Sequence, residues 1–305
     1  MSAPRGFVLV NALVLVAALA AVAVFMLARA EEARLRAGAA VEAAQLGLYL
    51  DAFEAQALQV LEEDGAGGVP IDSLSESWAR PLPPVPLDRG QVSGEIVDLQ
   101  GRFNINALAN PGDELARASF DRLALRLGLS PQVVEDIVEF LSPGGPEDAR
   151  AYARADPPVR PVGGAILMRE QLRQIPTLSE RDYRRLEPFV AAVPGGLKLN
   201  VNTVSAEVLA SVLQNVNAAA VAALVASARR QPFAAPGAFL TELSRVMREE
   251  DFATVPEQIF TTGSEWFAFE AAAELDGRVV TRRAVIRRLP LPQAPLVTYR
   301  IDNWN

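Results

Sequence analysis

The strongest constraint on this chain is an unbroken greasy stretch near its start. From Phe7 to Ala28 the residues are Val, Leu, Ala, Phe and Met, with Asn11 as the polar interruption. At about 1.5 Å per residue, a helix over this run is long enough to cross the roughly 30 Å hydrocarbon core of a bilayer. It contains neither proline nor glycine. Apolar side chains surround it on every face, as a lipid-embedded helix requires. Charge returns at Arg29, Glu31 and Glu32, and everything large lies beyond them. Arg5 and the amino terminus are expected to hold the short end in the cytoplasm and leave the body outside. A cleaved secretory signal is the rival reading, with Ala28-Arg29-Ala30 as its small-x-small site. Such a signal has an apolar core of only about 7–15 residues.

Composition narrows the function classes. The 305-residue chain has no cysteine, no histidine and a net charge of −8. Disulfides and thiolate metal sites are thereby excluded. The usual general base, triad partner and commonest metal ligand are also missing. The acidic balance argues against a broad nucleic-acid surface, which needs clustered Lys and Arg. Carboxylates remain for acid–base work or for calcium. No catalytic residue is expected.

The start carries a second signal. Arg5-Gly6 precedes Phe7 and the apolar run. This arrangement resembles the class III signal of type IV pilins and type II secretion pseudopilins. The resemblance implies a leader, residues 1–6, that a prepilin peptidase removes between Gly6 and Phe7 before methylating Phe7. It also implies one long helix, with residues 7–28 in the inner membrane and residues 29–64 in the periplasm. Most members of that group carry Glu where this chain has Asn11, and that Glu is thought to pair with a neighbouring subunit's amino terminus. A carboxylate without a cationic partner is costly in lipid. Asn11 therefore fits a subunit with no neighbour above it, at a filament tip; the plain alternative is a tolerated polar residue.

From Glu31 to Glu63, good helix formers dominate, with Leu35, Ala39, Leu46, Tyr49, Leu50, Phe53, Leu58 and Leu61 giving an approximate apolar stripe that Gly38 and Gly47 weaken locally. Asp64 to Gly68 is expected to end the helix. Residues 65–111 read as a linker and first strands. The proline run Arg80–Pro86 predicts an extended connector over the helix, and Gln91–Leu99 a strand. Trp78, the prolines and the string from Asp98 to Leu108 (D-x-Q-G-x-F-N-x-N-x-L) are similar to the K minor pseudopilin of type II secretion systems. In that string Asp98, Asn104 and Asn106 are expected to bond turn backbone rather than to form a catalytic site.

Residues 112–255 read almost entirely as helices. Asp113 or Ser119 is the expected first cap, Ser130-Pro131 opens a second helix, and Thr203 or Ser205 caps a later one. K pseudopilins carry such a helical domain inserted into a pilin-like sheet, and the resemblance associates calcium with its acidic loop. Calcium takes about six to eight oxygens. Here Glu147, Asp148 and Asp156 remain as candidate ligands, and a solvated acidic loop is the alternative. The segment from Leu199 to Arg230 also resembles helix-hairpin-helix modules, so a membrane-anchored DNA-binding protein is the rival function. Those modules use a glycine-containing hairpin whose amides meet phosphate; Leu213-Gln214-Asn215-Val216-Asn217 has no glycine.

Residues 256–305 return to β character. Asp276-Gly277 is a two-residue hairpin signal. Arg282, Arg283, Arg287 and Arg288 are expected on the wet face of a half-buried sheet. The fold class is α+β: a pilin-like long N-terminal helix plus an antiparallel sheet, with a large all-α insertion. The resemblance implies a pseudopilus-tip subunit that initiates assembly with the I and J minor pseudopilins, is processed by prepilin peptidase, meets secreted substrates and binds no nucleic acid.

Overall fold

The computed structural model describes residues 5–65, 71–161, 163–290 and 292–304. Helix α1, Arg5–Gly65, runs for 61 residues, roughly 90 Å at the α-helical rise. Its described apolar residues from Leu9 to Leu27 are exposed. Further along, Leu46, Leu50, Phe53, Ala57 and Leu61 recur every three or four residues and are buried. One helix therefore changes from apolar all round to one-sided. Gly38 and Gly47 lie inside it without ending it. Ala66–Gly68, part of the expected stop, fall outside the described residues.

The buried stripe packs on an antiparallel sheet of order β1-β2-β7-β8-β9. These strands are β1 (Leu82–Leu87), β2 (Gly90–Asp98), β7 (Trp266–Leu275), β8 (Arg278–Arg287) and β9 (Leu296–Trp304). Val92, Ile96, Phe267, Phe269, Ala273, Val280 and Ile286 meet α1 and Trp78 in one core. Phe53 and Phe269 lie 6.1 Å apart, and Trp78 stands edge-on to Phe267 at 5.2 Å. Each such buried side chain contributes about 1.5–3 kcal/mol. β7 and β8 join at Asp276-Gly277, both residues at positive φ, as a type I′ hairpin demands.

The proline run departs from the expected connector. Leu82–Leu87 pairs with β2, with an irregularity between Leu82 and Val85. A proline lacks the N–H that an inner strand must donate, but an edge strand has one side free of partners. The arginines depart further. Arg282 and Arg288 are buried, at 4% and 6% exposure. Arg282 lies opposite Ala271 in the β7–β8 ladder, hence on the face toward α1.

Between β2 and β7 the chain builds a second domain with its own core. Among the described residues it holds α2 (Glu114–Leu127), α3 (Pro131–Leu141), α4 (Arg150–Ala153), α5 (Glu180–Leu186), α6 (Ala206–Val212), α7 (Ala218–Arg230), α8 (Pro236–Val246) and α9 (Glu249–Phe252). Asp113, Ser130 and Ser205 cap α2, α3 and α6. Within residues 112–255, expected to be almost entirely helical, a 3-10 turn at Arg169–Gln174 precedes α5. Two short parallel pairs interrupt the helical pattern. β3 (Phe103–Asn104) pairs with β4 (Val190–Ala191), and β5 (Leu199–Asn200) with β6 (Phe260–Thr261). Glu257–Ile259, expected as strand, is a 3-10 turn leading into β6.

The direction of attachment follows from two ion pairs. Arg278, at the hairpin end of β8, meets Glu42 at 3.1 Å. Arg288, just past the other end, meets Asp64 at 2.7 Å. β8 thus runs alongside α1 from the side nearer the apolar segment to the far side. The helical domain leaves after Asp98 and returns at Trp266, and Asp98 pairs with Phe267 at that far end.

Candidate functional site

The place where this molecule does something unusual is the junction that holds the helical domain to the far end of the sheet. Its centre is Asp98, the last residue of β2. One carboxylate oxygen accepts the Gln100 amide at 2.7 Å. The other accepts hydrogen bonds from Thr203 Oγ1 (2.5 Å), Ser264 Oγ (2.8 Å) and Asn200 Nδ2 (3.2 Å). Burial nevertheless pushes its carboxyl up to about 6, against the lowering effect of those donors, with the nearby Asp72 charge adding to the rise. The turn after β2 is tight because Gly101 lies against Thr203. A Cβ at Gly101 would stand 2.7 Å from Thr203 Oγ1 and 3.0 Å from its carbonyl oxygen.

Asn200 and Asp72 extend the junction. Asn200 Nδ2 also donates to Asp72 O at 3.0 Å and to Ser264 Oγ at 3.0 Å. Asp72 Oδ2 accepts the Ser264 amide at 2.6 Å and pairs with Arg288. Arg288 therefore bridges Asp64 at the end of α1, Asp72 and the Ser264 carbonyl. On the α1 face, Arg282 pairs with Asp51 and Asp302, and Arg300 pairs with Glu54. These acidic partners hold Arg282 firmly charged despite its burial. Arg282 and Arg288 are thus bolts between elements rather than part of a solvated face, whereas Arg287 is exposed as expected.

Two asparagine turns complete the picture. In the first, Asn104 Oδ1 accepts the Asn106 amide (3.2 Å), while Asn106 both accepts from Ile166 N (2.8 Å) and donates to Ile166 O (2.9 Å). In the second, Asn200 Oδ1 accepts the Asn202 amide (2.9 Å), while Asn202 accepts from Phe233 N (2.8 Å) and donates to Phe233 O (3.1 Å). The second asparagine of each turn pairs with one distant residue as a strand neighbour would. Asn104 and Asn106 bond turn backbone as expected, but also reach far beyond it. Sequence reasoning took the second turn only as a helix start. The repeated string, Phe103-Asn104-Ile105-Asn106 and Leu199-Asn200-Val201-Asn202, is the signal that exposes it.

Two family models, both described as type II secretion system (T2SS), protein K, match residues 101–195 and 199–254. Each matched segment opens just before one asparagine turn. This chain belongs to the type II secretion system protein K family. Type II secretion system protein K of Pseudomonas aeruginosa is 36% identical over 158 residues, 48% of this chain and 47% of that protein. The protein of the same description from Aeromonas hydrophila is 29% identical over 225 residues, 66% of this chain and 68% of that protein. The match thus spans about half the length of the first relative and about two thirds of the second. A chain from the crystal structure of the GspK-GspI-GspJ complex of the enterotoxigenic Escherichia coli type 2 secretion system shares the fold, with a TM-score of 0.73 and 21% identity. The likeness covers 88% of this chain and 99% of that one.

The remaining sequence-derived residues fall in three places. Gly6 and Phe7 lie within α1, and Asn11 is exposed on it among apolar side chains. Glu147 and Asp148 sit exposed around an open depression with Arg150. The Arg150 amide donates to Asp148 at 2.9 Å. Asp156 is exposed and precedes Pro157. Among the described residues, the three carboxylates close enough to share one ion are instead Asp64, Asp72 and Glu76. In the segment resembling a helix-hairpin-helix, Asn215 takes the positive φ that glycine would supply. Its amide donates to Asp251 at 2.6 Å, so a carboxylate stands beside the hairpin where a phosphate would have to approach. That segment lies in the second matched region of the protein K family.

Proposed function

We propose that this protein is a minor pseudopilin that caps the pseudopilus of a type II secretion system. The observation that carries the reading is the build of α1. Its first half is apolar and exposed all round, its second half is bolted to a sheet, and a wide helical domain sits on the sheet end farther from the apolar segment. The apolar half inserts in the inner membrane and then in the filament's helical core, with the body in the periplasm. The helical domain gives the subunit a broad head on the far side. A subunit stacked above would meet that head, so this chain occupies the tip and starts assembly. Asn11 suits such a place, because a tip subunit has no neighbouring amino terminus above to neutralise a carboxylate in lipid.

The first partners are minor pseudopilins of types I and J. The solved complex that this fold resembles contains GspI and GspJ. The prepilin peptidase cleaves between Gly6 and Phe7 and methylates Phe7, and secreted substrates meet the periplasmic head. Intact-mass measurement of the membrane-extracted protein, with its co-purifying chains, tests the reading. A mass starting at Phe7 plus one methyl group, with I and J subunits in the same complex, is the expected result. A start at Glu31, or a protein free of lipid and of sister subunits, overturns it.

A further inference from the structure

We propose that Asp64, Asp72 and Glu76 form a calcium site that clamps the far end of α1 to the chain that follows it. One oxygen from each carboxylate lies within 4.8 Å of the others. That spacing fits oxygens gathered around one cation whose ligand distances are about 2.3–2.6 Å. Arg288 takes Oδ2 of Asp64 and Oδ2 of Asp72, while Glu76 has no cationic partner among the described residues. Asp72 is fully buried, and its Oδ1 has no hydrogen-bond partner among the described residues. A buried carboxylate oxygen left without a donor is costly unless a cation completes it.

The site is also held in shape before any ion arrives. The Asp72 amide donates to Thr262 O at 2.8 Å, and its carbonyl accepts Asn200 Nδ2. Glu76 Oε2 accepts the Ser73 amide at 2.7 Å and Trp78 Nε1 at 2.9 Å. Such supporting bonds orient ligands and raise metal affinity. The donor set is oxygen only, since the chain has neither His nor Cys. That chemistry selects a hard divalent ion over zinc or copper. Calcium accepts the irregular arrangement that one helix end and one loop provide, whereas magnesium demands near-octahedral geometry.

The test uses the full chain in detergent. Millimolar calcium chloride raises the melting temperature, because an ion bound only to the folded state stabilises it. Terbium bound in place of calcium emits on excitation of tryptophan, since the Trp78 indole touches Glu76, and calcium displaces it. Asp64→Asn and Glu76→Gln each raise the apparent Kd for calcium by at least ~10-fold, with far-ultraviolet circular dichroism unchanged. Glu147→Gln with Asp148→Asn leaves both signals intact. Magnesium gives a smaller shift. The proposal is overturned by a wild-type protein with neither a shift nor sensitised emission, by a response that survives both Asp64→Asn and Glu76→Gln, or by magnesium matching calcium.

Discussion

The two asparagine turns are built alike and spent differently. In both, the first asparagine folds its own turn and the second grips a distant residue by its N–H and C=O, Asn106 donating to Val193 O as well. The first asparagines part company in what else they reach. Asn104 reaches Val193, Gly195 and Gly196, all within the helical domain. Asn200 reaches Asp72, Asp98 and Ser264, which belong to the sheet side. One turn closes the helical domain on itself, and the other fastens that domain to the pilin-like body. The same local device can serve folding or assembly, depending on what stands opposite its free amide.

The largest effect should come from Asp98, which the second turn has and the first lacks. Asp98→Ala strands the buried donors of Thr203, Ser264, Asn200 and Gln100. We expect a loss of about 3–5 kcal/mol and one unfolding transition splitting into two in calorimetry. A single, merely lowered transition would show that the turns do the same job. Asn200→Ala should split the transition as well, at a cost of about 2 kcal/mol, whereas Asn104→Ala should cost about the same and leave cooperativity between the domains intact. Urea unfolding followed separately at the sheet and at the helices distinguishes them.

A pH series sharpens the contrast. The Asp98 carboxyl is raised to about 6 in the folded protein, above its unfolded value of about 3.9. Between those values the folded state holds the proton more tightly, so this group's contribution is fully present below about pH 4 and lost as pH rises through about 6. Melting temperature measured from pH 4.5 to 6.5 should show that decline, and Asp98→Asn should reduce it, leaving the part due to Asp64, whose carboxyl burial also pushes up to about 6. The smallest effect belongs to the exposed rim of the same junction. Lys198 and Glu265 lie 3.4 Å apart, both about half exposed. Lys198→Ala should change stability by less than about 0.5 kcal/mol. A larger loss would mean the rim, rather than the buried asparagine, carries the joint.

Much of this was legible beforehand, and the exceptions share a cause. The anchor, the caps at Asp113, Ser130 and Ser205, and the Asp276-Gly277 hairpin each depend on residues within a turn or two of one another. The resemblance points to Glu147, Asp148 and Asp156, and nothing in the sequence points to the converging carboxylates Asp64, Asp72 and Glu76. Asp64 ends a helix and Asp72 and Glu76 lie beyond it, so no helical or strand period brings the three together. Arg282 and Arg288 read as wet because alternation alone cannot tell a solvent face from a face covered by a helix.

The sequence by itself determined the long apolar helix, the capped helices, the β7–β8 hairpin and the family to which they belong, because periodicity, capping and turn chemistry act over a few residues. Only the tertiary structure decided which charges are buried and which asparagines join domains. Arg282 meets Asp51 from 231 positions away, and Arg288 meets Asp72 from 216. A charge is stabilised away from water only by its partner, and that partner is supplied by the fold rather than by neighbouring residues.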